Sequence, residues 1–110
     1  MNKFRVTLIP VEGHITFHKV EGDDGPNFKD MYKLLGCNTI EITGARKDNL
    51  SYDLYIDEEG RFKDDNSING RATQLFCEWL DHEGRTTPIP NIIGDAALID
   101  VTPITEIKYT

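Results

Sequence analysis

The sequence predicts a single α+β domain over residues 1–110, a mixed, mostly antiparallel sheet of about five strands with two amphipathic helices on one face. Three observations predict it. Two stretches alternate apolar and polar residues with the period of a strand, two others repeat apolar residues at helical spacing, and a length of 110 residues suits one domain. No apolar run approaches the roughly 20 residues that span a bilayer.

The first two strands are predicted to form a hairpin. Residues 4–8 alternate apolar with polar side chains, and this strand closes at Pro10. Residues 14–20 show the second alternating pattern, and the Glu12-Gly13 pair between the two can turn the chain.

A helix is predicted to follow the polar loop at residues 21–26. Asp24 or Asn27 is suited to cap its start, and Gly36 is suited to end it. Its apolar stripe consists of Phe28, Met31, Tyr32 and Leu35, which recur at helical spacing.

Residues 39–43 and 50–57 are predicted as the third and fourth strands. The second of these has the clearest alternation in the chain, with apolar side chains at every other position from Leu50 to Ile56. A turn at residues 58–60 follows, and residues 61–63 are predicted to pair back briefly.

The second helix is predicted to begin after an N-cap at Asn66 or Ser67 and to end at Gly84. Its apolar stripe consists of Ile68, Ala72, Leu75, Phe76, Trp79 and Leu80.

An apolar run at residues 92–101 then predicts a central strand, interrupted by Gly94, which suggests a bulge or a close backbone approach. Residues 105–109 are predicted as a final edge strand. With both helices on one side, the other face of the sheet is left exposed. That face and the edge at residues 107–109 favour a homodimer formed by edge pairing.

Charge limits the function classes. Lys plus Arg is 12 and Asp plus Glu is 19, so the formal net charge is −7. A negative chain is repelled by a phosphate backbone and by an anionic membrane surface, which argues against direct nucleic-acid binding and membrane association.

The acidic turn Asp57-Glu58-Glu59 has two interpretations. One is a solvated, charge-rich turn of no special function. The other is a protein interface that presents its carboxylates to a basic host protein.

Two short segments favour recognition of a small ligand of the nucleotide type. Asn69 and Arg71 open the second helix, where backbone N–H groups and a guanidinium together suit an anion. Gly94 and Asp95 bring polar backbone close to the core. The alternative is an ordinary helix start and a bulge. The cations that would focus positive potential are Arg46, Arg61, Lys63 and Arg71.

The sequence assigns no catalytic residue, no metal ligand and no cofactor, so an enzyme is the least favoured class. His14 and His18 are four residues apart on a predicted strand, which separates them by about 13 Å, too far for one ion. Cys37 and Cys77 form no metal-binding pattern and are expected to be reduced.

Three segments carry a resemblance to a known family: residues 54–62, 69–73 and 92–99. Together with the first helix, ending Leu34-Leu35-Gly36, they resemble domain of unknown function family 3846, small proteins of phages and mobile elements. The resemblance covers about residues 1 to 100. The proline-rich run expected before the second helix is replaced at residues 63–68. The resemblance implies a phage-type protein in the cytoplasm of a bacterial host, with no established activity.

Taken together, these features favour a small non-catalytic protein that binds and modulates a host protein, for example a defence or transcription component. The alternative is a protein that captures a nucleotide-type signal molecule.

Overall fold

The computed structural model describes residues 2–60, 68–85, 91–100, 102 and 104. In chain order the elements are β1 (Asn2–Ile9), β2 (Thr16–Gly22), α1 (Phe28–Leu35), β3 (Ile40–Lys47), β4 (Leu50–Asp57), α2 (Gly70–His82) and β5 (Ala96–Ile99). The strands form one antiparallel sheet in the order β2-β1-β5-β4-β3. The predicted α+β class with five strands and two helices is confirmed. None of the described helices is long and apolar enough to cross a membrane.

Strand β5, the last in the described part of the chain, lies between β1 and β4 and is buried along all four of its residues. The predicted central position is therefore correct, but the strand is shorter than residues 92–101. Gly94 has a φ of +82°, which extended backbone does not adopt, so the strand begins only beyond it. Ile93 instead forms an isolated bridge with Ile68.

Each helix covers its own face of the sheet, so the prediction of both helices on one face is wrong. Tyr55 packs in the cluster that contains Met31 of α1, whereas its neighbour Leu54 packs in the cluster that contains Ala72 of α2. Adjacent residues of a strand point to opposite faces. The central strands β4 and β5 have apolar side chains on both faces, and such strands need cover on both.

The predicted capping residues are confirmed for α1, whereas α2 has a different N-cap. Asn27 caps α1 by accepting a hydrogen bond from the Lys29 N–H at 2.8 Å, and Gly36 ends it at a φ of +64°. For α2 the predicted caps, Asn66 and Ser67, lie outside the described residues. The cap is Asn69.

The sheet contains two hairpins, β1–β2 and β3–β4. The predicted β1–β2 hairpin is confirmed. The β3–β4 hairpin turns at Asp48 and Asn49, which both have positive φ (52° and 66°), as a two-residue type I′ turn requires. This turn lets β3 run on to Lys47, beyond the predicted end at Thr43. The predicted pairing of residues 61–63 and the strand at 105–109 lie outside the described residues, so dimer formation through that edge stays a prediction.

Neither helix covers its face completely. Phe17, on the same face as α2, is 79% exposed. Ile42, on the same face as α1, is 47% exposed. Two open regions of sheet therefore remain, one on each face, and both contain a cleft.

Candidate functional site

The four residues predicted to bind a ligand do meet, at the point where α2 begins beside the end of β1. Asn69 is completely buried. Its side-chain amide donates to the carbonyl oxygens of Ile9 (2.8 Å) and Gly94 (3.0 Å), while its side-chain oxygen accepts from the Ala72 N–H at 3.0 Å. The side chain thus joins β1, α2 and the segment before β5.

Asn69, Gly94, Arg71 and Asp95 together form the Asn69 cluster, and its two charged members hold the β1–β2 loop. Arg71 donates to the carbonyl oxygens of Pro10 and Gly13, the latter at 3.0 Å. A carboxylate oxygen of Asp95 accepts from the Val11 N–H at 3.0 Å. These groups satisfy the protein's own backbone. A structural role follows directly, and ligand binding by the cluster stays a prediction.

A basic cleft lies on the open part of the sheet beside α2. Its volume is about 450 Å³. Its cations are Arg5 on β1, Lys19 on β2 and Lys47 at the end of β3, and all three are exposed. Two carboxylates, Asp48 and Asp100, also line it. The cleft therefore has an excess of positive charge although the whole chain carries −7.

The register of the sheet places two of these cations side by side. Arg5 and Lys19 are directly paired across the β1–β2 ladder. Like charges at directly opposed positions destabilise a sheet. Asp100 offers partial compensation, since it follows β5 and its N–H donates to the Arg5 carbonyl at 3.1 Å. A bound anion would complete that compensation.

Apolar and aromatic surface accompanies the positive charge. Phe17 lies opposite Thr7 on the β1–β2 ladder, and Leu98 of β5 lies opposite Thr7 on the other side. Tyr52 of β4 also lines the basic cleft. A second cavity of about 240 Å³ continues from it, sharing Thr7, Lys47 and Leu98 and reaching Arg71. The floor is thus apolar with cations at its rim.

No family model, curated protein or solved structure matches this chain. The resemblance to domain of unknown function family 3846 accordingly stays a prediction from short motifs.

The three cations that line the basic cleft, Arg5, Lys19 and Lys47, were not predicted from the sequence as site residues. The predicted hairpin contained the signal for Arg5 and Lys19, because its register alone pairs them. Among the cations proposed instead, Arg46 donates to the Ser51 hydroxyl at 3.1 Å on the opposite face, and Arg61 and Lys63 lie outside the described residues.

The acidic turn, Asp57-Glu58-Glu59, lies at the C-terminal end of β4, whereas Tyr52 of the basic cleft lies near the start of this strand. Glu58 and Glu59 are exposed, and the Glu59 N–H donates to a carboxylate oxygen of Asp57 at 3.0 Å. Asp57 and Glu58 join Glu41 around an acidic groove of about 90 Å³. Its apolar floor consists of Ile56, Phe76, Ile92 and Ile93.

Among the residues with described positions, no group of three or more His, Cys, Asp or Glu side chains could hold a metal ion. His18 is hydrogen-bonded to the Thr16 hydroxyl at 2.8 Å, and His14 lies before β2. Cys37 is buried, Cys77 is half-buried, and no disulfide joins them.

Proposed function

We propose that this protein is a non-catalytic binding protein that captures a small phosphate-bearing ligand of the nucleotide type in the basic cleft. The observation that carries the proposal is the convergence of Arg5, Lys19 and Lys47 on one cavity in a chain of net charge −7. Positive charge concentrated in a concave, partly apolar site attracts an anion locally even when the whole molecule repels it.

The shape and chemistry of the cleft agree with such a ligand. A volume of about 450 Å³ lies within the range of small-molecule sites. The arginine and the two lysines suit phosphate oxygens, since hydrogen bonds between charged groups are the strong ones. Phe17 and Tyr52 present aromatic surface to a planar base, and the two carboxylates can accept hydrogen bonds from hydroxyl or amino groups.

Charge reversal at Lys19 tests the site. We expect Lys19→Glu to weaken binding of AMP by about tenfold or more, because one charge-assisted hydrogen bond is replaced by repulsion. Isothermal titration calorimetry with AMP, adenosine and inorganic phosphate measures this, and AMP is expected to bind more tightly than either of its parts.

The matched control is Lys29→Glu, which makes the same charge change at an exposed position of α1 on the other face of the sheet. Equal affinity losses in the two variants would indicate a general effect of net charge and contradict the proposal. Absence of measurable binding by the wild-type protein to all three compounds would contradict it as well.

A second candidate function rests on the acidic groove. Its carboxylates surround apolar side chains, an arrangement that suits a basic segment of a protein partner. Together with the resemblance stated above, this favours binding to a basic protein of a bacterial host, such as a defence or transcription component.

Glu58→Lys is expected to abolish recovery of such a partner in a pull-down from host lysate, since it reverses the charge at the rim of the groove. Glu78→Lys, on the exposed surface of α2, is the matched control and should retain the partner. Retention by both variants would exclude the acidic groove as the interface.

A further inference from the structure

The open region of sheet beside α1 contains a second cleft, formed because Trp79 reaches past the edge strand β3. Gly44 is paired with Asp53 and alternates with Thr43 and Ala45, so it lies on the face opposite α2. Nevertheless, a Cβ atom at Gly44 would overlap the indole of Trp79, lying 2.5 Å from Nε1 and closer still to Cδ2 and Cε2. Trp79 therefore starts on α2 and ends on the α1 side of β3.

The resulting Trp79 cleft has a volume of about 530 Å³. It is lined by Ile42, Gly44, Ser51, Asp53, Trp79 and Arg85, and also by Thr43 and Tyr52. Its floor is the β3–β4 ladder, one wall is the indole, and the rim is polar. Asp53 and the other floor residues face the α1 side of the sheet, whereas the cations of the basic cleft face the α2 side. Tyr52 lines both clefts, but the inference drawn here does not rest on the function proposed above.

Asp53 is the charged group of this floor. It lies in the middle of β4 and is half-buried, and burial raises the pKa of its carboxyl above the ordinary value. Burial, and then the nearby Asp53 carboxylate, also raise the pKa of Tyr55. Within the part of the chain that the structure describes, no cation neutralises Asp53. The carboxylate is thus held in a partly desolvated position where a positive group would be favourable.

The Trp79 indole already makes a cation–π contact, with Arg85. The guanidinium carbon of Arg85 lies 5.2 Å from the centroid of the Trp79 ring, within the distance of a cation–π contact. Arg85 follows α2 and is exposed, so this contact is made at the mouth of the cleft. A planar guanidinium both stacks on an aromatic face and donates paired hydrogen bonds to a carboxylate, which an ammonium group does less well.

We propose that the Trp79 cleft binds a guanidinium group between the Asp53 carboxylate and the Trp79 indole. When no ligand is bound, the guanidinium of Arg85 contacts the face of the indole instead. Arg85 then competes with the ligand for the ring. The bound group is carried either by an arginine side chain of a peptide or by a small free cation. The same two protein groups recognise it in both cases.

The experiment is a fluorescence titration, because Trp79 is the single tryptophan of the chain and reports on its own cleft. The probes are N-acetyl-arginine amide, agmatine, and N-acetyl-citrulline amide, in which a neutral urea replaces the guanidinium. The two cations are expected to change the emission saturably and the citrulline compound is not. Tighter binding of the arginine amide than of agmatine identifies a peptide side chain as the natural source, and the reverse identifies a free cation.

Two variants give opposite expectations. Asp53→Asn removes the charge with little change of shape and should weaken binding by about tenfold or more. Arg85→Gln removes the competitor and should strengthen it several-fold. The control Asp30→Asn makes the same charge change on the exposed surface of α1 and should bind as the wild type does.

The proposal is overturned by equal binding of the citrulline compound, by unchanged affinity in Asp53→Asn, or by weaker binding in Arg85→Gln. It is also overturned if neither the wild-type protein nor Arg85→Gln binds either cation. Arg85→Gln leaves the sheet untouched, so it decides the question even if Asp53→Asn proves to be unfolded by circular dichroism.

Discussion

Replacing Asn69 with alanine is expected to lower the free energy of unfolding by about 3 kcal/mol or more. The helix cap provided by its side-chain oxygen contributes about 1 kcal/mol. The larger loss comes from the carbonyl oxygens of Ile9 and Gly94, which would keep their position without the donor that now satisfies them. A buried polar group left without a partner costs about 1–3 kcal/mol.

Asn27→Ala is the matched control for this prediction. Asn27 caps α1 with a single hydrogen bond to an exposed N–H, so its removal should cost only about 1 kcal/mol. Urea denaturation followed by circular dichroism measures both free energies. Similar losses in the two variants would show that Asn69 acts as a helix cap alone and that its two carbonyl contacts contribute little.

The Asn69 cluster also shows how far local sequence signals extend. The sequence predicts a helix opening at Asn69 and Arg71 and a close backbone approach at Gly94, and the structure brings these groups together. The sequence indicated where a helix begins and where the backbone departs from a strand. They did not indicate what the polar groups contact, because Ile9 and Pro10 come from a distant part of the chain.

The mistaken placement of the helices has a physical cause in β4. Its alternation predicts one apolar face from Leu50 to Ile56, and Tyr55 falls on the other face with Ser51, Asp53 and Asp57. Tyrosine is amphipathic, and here its ring is buried and stacks against Phe28, with ring centroids 5.9 Å apart. Once Tyr55 is counted as apolar, β4 has an apolar side chain on each face, Tyr55 on one and Leu54 on the other. Both faces then need to be covered by a helix.

The basic cleft depends on topology in a way that single-strand patterns do not reveal. Arg5 and Lys19 come from one hairpin, whereas Lys47 comes from the other. They line the same cavity because β5 inserts between the hairpins and joins them into one sheet. The order of strands is a long-range property, so the sequence predicted the N-terminal hairpin but not the site.

Gly44→Ala is expected to lower the free energy of unfolding by about 2–3 kcal/mol and to shift the emission of Trp79 to longer wavelength. The added methyl group would overlap the indole, and Trp79 is itself stacked against Phe76 with centroids 6.1 Å apart. Overpacking of this kind typically costs about 1–3 kcal/mol. Either the edge strand or the indole must move, and movement of the indole exposes it to water.

Gly70→Ala separates this overlap from the general effect of removing a glycine. No heavy atom lies within 4 Å of a Cβ placed at Gly70, which opens α2. Alanine favours a helix, so stability should be unchanged or raised by up to about 1 kcal/mol, with unchanged emission. If both variants keep the wild-type stability and emission, Trp79 does not rest on β3. If the overlap is real, Gly44→Ala also displaces one wall of the Trp79 cleft and should lose affinity for N-acetyl-arginine amide, which Gly70→Ala retains.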